Sequence, residues 1–169
     1  MKKVFRYIIY GFLLILTAGF FIPQDIKMPV EGACSKDYDK NSFWYYPWGK
    51  SVTHKGVDIF AKKGTNVLAA TGGLVVFTGQ MGRGGNVVLV LGPKWRLHYY
   101  AHLDEFKTSK GSFVSQYDII GKVGNTGNAA GKPSHLHYSI ITPIPYPWRC
   151  DTSHQGYKKM FYLNPIEYL

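Results

Sequence analysis

The chain is predicted to be all-β, a twisted antiparallel sheet preceded by an N-terminal hydrophobic helix. Three observations predict this. Nineteen glycines and nine prolines mark frequent turns. Long helical periodicity is missing after residue 23, and short runs of β-branched and aromatic residues recur between the turns. Hydrophobic residues make up 46% of the 169, enough to build a core, and that length suggests one domain plus an appendage.

The helix is read from the N-terminus. Lys2, Lys3 and Arg6 precede an apolar run from Tyr7 to Ile22, interrupted only by Tyr10, Gly11, Thr17 and Gly19. As a helix the run spans about 24 Å, slightly less than the ~30 Å hydrocarbon core of a bilayer. Residues 1–23 are therefore a signal anchor or a signal peptide. Thr17-Ala18-Gly19 is a poor cleavage site because bulky Phe20 and Phe21 follow it, which favours an uncleaved anchor. Basic residues ahead of the span put the N-terminus in the cytoplasm and the domain outside, in the cell envelope. Residues 24–50 form a linker or lead-in without clear periodicity, dense in aromatics from Phe43 to Trp48. The domain proper occupies residues 51–169.

Strands follow in short pieces: Val57–Phe60, Asn66–Ala70, Leu74–Thr78, Asn86–Leu91, Trp95–Leu103, Ile119–Val123 and His135–Ile141. The fourth and fifth read as a hairpin around Gly92-Pro93-Lys94. Alternation along the fifth predicts that His98, Tyr100 and His102 share a face. Asn164-Pro165 reads as a cap and first turn of a short closing helix.

The net charge of +10, of which +3 falls in the first 29 residues, implies attraction to anionic surfaces such as cell wall or lipid headgroups. A nucleic-acid partner is not expected, since no binding motif or basic helix is present. Cys34 and Cys150 fit an exported domain, where they can pair or remain free thiols.

The chemistry lies in histidines and one aspartate. His135 and His137 are two apart, so on a strand both rings leave the same face. His54 and Asp58 flank a glycine at a bend into a strand, and Asp58 sits among apolar residues, where a carboxylate needs a partner such as a metal. With His102 these residues offer a metal hydrolase its parts: three ligands, an open position for water, and groups that move protons.

Together with Gly64-Thr65-Asn66-Val67-Leu68-Ala69-Ala70, Tyr100-Ala101-His102-Leu103, Gly121-Lys122-Val123-Gly124-Asn125-Thr126-Gly127 and Ser134-His135-Leu136-His137-Tyr138, the segment His54-Lys55-Gly56-Val57-Asp58-Ile59 resembles the lysostaphin-type (LytM-like) zinc endopeptidases, peptidase family M23. The matching stretch runs from about Pro29 to Asn164. The resemblance implies a lysostaphin-type fold, like the duplicated hybrid motif, with short loops walling a groove over the metal. It implies one Zn2+ per chain on His54, Asp58 and His137, with His102 and His135 as catalytic histidines. It also implies peptidoglycan as substrate. Some relatives are non-catalytic modules that bind or activate a separate cell-wall hydrolase, but these usually lose site positions, and all five are present here. Tyr138-Ser139 stands where many relatives have Phe-Glu, which removes no functional group. Tyr45 and Tyr46 are candidates for an upstream tyrosine that often completes such sites. His98 is expected at the rim or solvated, and His154 at the surface.

Overall fold

The computed structural model describes residues 2–169. Helix α1, Lys2–Phe21, has 20 residues and is about 30 Å long. It begins before the apolar run because Lys2 to Arg6 add a turn with no helix breaker. Among the described residues it is the one helix long and apolar enough to cross a membrane. Phe5, Ile8, Phe12 and Ile15 are all exposed along it. Its C-terminal end meets the domain, where the Trp95 indole N–H donates to the Leu16 carbonyl at 2.8 Å. Gly19 permits this approach, since a Cβ there would lie 2.3 Å from the indole ring.

The rest is an antiparallel β structure, as expected. The strands are β1 (Val57–Phe60), β2 (Asn66–Leu68), β3 (Gly73–Gln80), β4 (Asn86–Leu91), β5 (Leu97–Leu103), β6 (Glu105–Phe106), β7 (Phe113–Val114), β8 (Ile119–Lys122), β9 (His135–Ile141) and β10 (Tyr162–Leu163). Seven form the main sheet in the order β1-β9-β5-β4-β3-β7, with β10 also pairing β9. A second sheet has the order β2-β8-β6. The β4–β5 connection is not a simple three-residue loop: Pro93–Trp95 form a short 3-10 turn in which Lys94 and Trp95 take positive φ. The closing helix at Pro165–Glu167 is capped by Asn164, whose side chain accepts from Ile166 N at 3.1 Å.

The core lies between the sheets. On β1, β5 and β9 the residues Val57, Ile59, Tyr100, Leu136, Tyr138 and Ile140 are fully buried. The Tyr100 hydroxyl accepts from Ala70 N at 2.9 Å, so its one polar atom is not stranded. Residues 24–50 add Ile26, Val30, Tyr38 and Trp44 to the buried set. Their backbone runs beside β2, with Leu68 N donating to Pro29 O and Glu31 N to Asn66 O. Cys34 and Cys150 are free, exposed thiols.

Candidate metal centre

Strand register builds the site. Asp58 on β1 faces His137 on β9, Phe60 faces His135, and Ala101 on β5 faces His137 from the other side. Residues directly opposite on an antiparallel pair project from one face, so Asp58, His135 and His137 share a surface away from the core. His54 precedes β1 on a turn that crosses close over β9. A Cβ on Gly56 would lie 2.4 Å from Tyr138 O and 2.9 Å from His137 Nε2. Glycine at this position therefore lets the first and last residues of the site meet. Trp48 stacks on the His54 ring, with centroids 4.2 Å apart.

His102 reaches the same surface by breaking the alternation of β5. The register shifts between Asn86 and Val88 of β4, which pair with Leu103 and Tyr100, so β5 carries one extra residue in a bulge. His102 has φ of 65°, a region β-carbon sterics disfavour and bulges exploit. The expectation that His98, Tyr100 and His102 share a face fails here. His98 and Tyr100 face the core, while the bulge turns His102 into the groove beside Ala101.

The segment Gly121–Gly127 holds this conformation. The His102 Nδ1–H donates to Thr126 O at 2.9 Å, and the Thr126 hydroxyl donates to Leu103 O at 3.0 Å. A Cβ on Gly124 would lie 2.6 Å from His102 O. Thr126 is thus a positioning residue, in a segment whose sequence by itself signals only a turn.

His98 is neither at the rim nor solvated. It is fully buried, with Nδ1 2.7 Å from the Tyr138 hydroxyl and Nε2 2.9 Å from the Gln24 amide. Burial, and then the nearby Arg96 charge, push its pKa down to about 3, so it stays neutral.

The three expected ligand residues converge. His54 Nε2, His137 Nδ1 and Asp58 Oδ1 lie within 4.8 Å of one another as one metal-competent cluster. Their separations are 3.1 Å for His54–Asp58, 3.1 Å for His54–His137 and 2.7 Å for His137–Asp58. A tetrahedron with zinc–nitrogen bonds near 2.05 Å has edges of about 3.3 Å, so the group is slightly tighter than a loaded site.

The proton positions are as informative as the distances. His54 Nδ1 lies 3.0 Å from the Ser42 carbonyl, which can only accept, so its proton sits there and Nε2 presents a lone pair to the cluster. The His137 proton can be held on Nε2 by the Ser139 hydroxyl at 3.0 Å, which turns the Nδ1 lone pair to the same point. Two ring lone pairs and a carboxylate aimed at one point repel unless a cation lies between them. The donor set therefore fits a divalent metal of zinc's preference. Burial alone would raise the Asp58 carboxyl, but a ring proton of His137 or His54 that bridges to it instead holds it below the usual carboxylate range. Burial lowers the His137 pKa, with Asp58 opposing it.

His102 and His135 sit beside this cluster with ring centroids 5.0 Å apart. The His135 Nδ1–H donates to Pro133 O at 2.8 Å, and its Nε2 lies 3.9 Å from Asp58 Oδ2. Both histidines thus spend Nδ1–H on a backbone carbonyl and present Nε2 to the groove. Burial, with the charges of His137 and His135, lowers the His102 pKa to about 4.

The groove over the cluster has a volume of about 670 Å³. Tyr99 and Trp48 line it, whereas Tyr45 and Tyr46 do not and are about half exposed. His154 is exposed, as expected, and stacks on Tyr46. Lys55 also lines the groove, and its ammonium pKa is lowered first by burial and then by the charges of Lys158 and Arg83.

Known proteins resemble this chain in sequence and fold. The chain is 36% identical over 97 residues to the peptidoglycan DD-endopeptidase ShyA of Vibrio cholerae, covering 57% of this chain and 22% of ShyA. It is 32% identical over 100 residues to the murein hydrolase activator NlpD of Escherichia coli, covering 55% of this chain and 26% of NlpD. The chain thus spans about a quarter of the length of these two relatives. The catalytic domain of the antimicrobial peptidase lysostaphin from Staphylococcus simulans superposes with a TM-score of 0.63 at 26% identity, covering 79% of this chain and 92% of that domain. The family model for peptidase family M23 matches residues 52–146, more than half of the sequence and every residue of the cluster, and the chain belongs to that family.

Proposed function

We propose that this chain is a zinc-dependent endopeptidase that hydrolyses the peptide part of peptidoglycan, in the cell envelope, tethered to the membrane by α1. The observation that carries the reading is the convergence of the His54, His137 and Asp58 acceptor atoms on one point, open to a groove. The relatives named for acting on peptidoglycan, and the apolar, exposed face of α1, support the substrate and the location.

In this reading His54, Asp58 and His137 hold the metal. Zinc bound there supplies a Lewis acid for the scissile carbonyl and brings the pKa of water near neutrality. The chain's own residues do the rest. Ser42 O fixes the His54 tautomer, and Ser139 fixes that of His137. Thr126 O and Pro133 O keep His102 and His135 with Nε2 as the acceptor facing substrate.

Water adds its oxygen to the carbonyl carbon, the C–N bond breaks, and one proton passes to the departing amine. A neutral imidazole takes the proton from water, and the resulting imidazolium delivers it to the nitrogen. The other histidine, when protonated, donates to the developing oxyanion. Their spacing lets both reach one peptide bond.

The test is digestion of purified peptidoglycan by the zinc-loaded protein and by His102→Ala, with released fragments identified by mass. Cleavage that chelation abolishes and zinc restores supports the reading. Bound zinc without any cleavage sinks it. The similarity to NlpD supports a second reading, a non-catalytic module that activates another hydrolase. That reading requires stimulation of a partner hydrolase that survives His102→Ala.

A further inference from the structure

Five cationic side chains, Lys50, Lys55, Arg83, Lys132 and Lys158, line the groove, and its one acidic side chain, Asp58, is committed to the histidine cluster. Among the described residues none of the five has a carboxylate within salt-bridge distance, whereas Lys27, Lys63, Lys107 and Lys159 elsewhere are each paired with an acid.

Two of the unpaired cations are positioned rather than free. Arg83 Nη1 donates to Ser51 Oγ at 3.2 Å. Lys55 Nζ donates to Ser51 O at 2.9 Å, Thr53 O at 3.2 Å and Thr53 Oγ1 at 3.1 Å. All of these acceptors are neutral, so they fix the charges without cancelling them. Like charges gathered on one groove wall repel, and that repulsion is relieved when an anion enters. A guanidinium with unused donors matches a carboxylate in particular.

We propose that the groove selects acidic peptides, those with free carboxylates flanking the scissile bond, over neutral ones. The wall formed by Lys55, Arg83 and Lys158 receives a carboxylate beside the cluster. This inference rests on the endopeptidase reading for its substrate, but the preference can be measured separately from cleavage.

The experiment uses two cross-linked peptidoglycan peptides that differ only in having free or amidated carboxylates. For the zinc-loaded full chain, kcat/KM should be at least about tenfold higher on the free acid, the size expected of one charged hydrogen bond. That ratio should fall toward one in the double variant Arg83→Gln, Lys158→Gln, and should shrink between about 0.05 M and about 0.5 M salt. Equal rates on both peptides overturn the proposal and leave the endopeptidase reading intact. So does a ratio unchanged in the double variant.

If neither peptide is cut, the endopeptidase reading fails and binding decides the preference. Calorimetry with the His102→Ala protein should show the free-acid peptide binding about tenfold tighter than the amidated one. Equal affinities overturn the proposal.

Discussion

His98 and His102 lie four residues apart on the same strand and have opposite fates. His98 is sealed in the core with both ring nitrogens occupied, by Tyr138 and by Gln24. His102 has one nitrogen held by Thr126 O and the other left to face the groove. Even spacing along the strand predicts the same face for both. What separates them is one inserted residue, a bulge that reverses the side-chain direction. Here an imidazole is available for chemistry when it keeps one nitrogen unsatisfied at a surface, and is structural when it does not.

The contrast can be broken by substitution. The largest effect on turnover is expected at the cluster: His54→Ala, Asp58→Ala or His137→Ala should remove bound zinc and lower kcat/KM by well over 100-fold, more than outer partners of a metal site contribute. Atomic absorption of the purified variants checks the metal. His102→Ala should retain one zinc yet lose about 10²–10⁴-fold in kcat, the range of a positioned acid–base group. Retention of full rate would place His102 with His98 as a structural residue.

Ser139→Ala removes the partner of His137 Nε2 and should weaken zinc binding by about 10–100-fold, as measured by competition with a chromogenic chelator. His98→Ala should leave the rate of the folded protein unchanged while costing about 2–4 kcal/mol of stability, from the cavity and the stranded Tyr138 hydroxyl. Urea unfolding reads that loss.

The same histidine sharpens the comparison through pH. Its folded pKa, about 3, lies below the ordinary value of 6.5. Between those values the unfolded chain binds a proton that the folded chain refuses. The stability from neutral His98 is therefore present above pH 6.5 and is lost as pH falls toward 3. A His98→Gln protein should lack that component of the acid-side decline in urea midpoints.

The groove surface was readable in the sequence because strand period puts His135 and His137 on one face, and because Asp58 sits in an apolar run that demands a partner. β1, β4 and β9 were readable to the residue, their branched and aromatic runs ending in glycine, proline or polar turns. The His102 bulge was not readable, since alternation is the rule it violates and only Gly124 and Thr126, more than twenty residues away, enforce it. The burial of His98 is hidden for a similar reason. Its satisfying partners are 74 and 40 positions distant. The strands β6, β7 and β10 have two residues each, too few to carry a period. The core residues Ile26 and Val30 were hidden in a stretch whose apolar positions follow no regular spacing.

Burial of that stretch leaves no slack between α1 and the sheet. Trp95 grips the helix at Leu16, Gln24 is already tied to His98 and Arg96, and Ile26 is in the core. A flexible leash lets a catalyst sweep a volume, whereas a rigid mount holds it at one working height. Under the proposed membrane tether, the groove would stand at one fixed elevation above the lipid. On that proposed reading only wall polymer passing through that thin shell would be engaged, and reaching farther would require prising Ile26 and Val30 out of the domain.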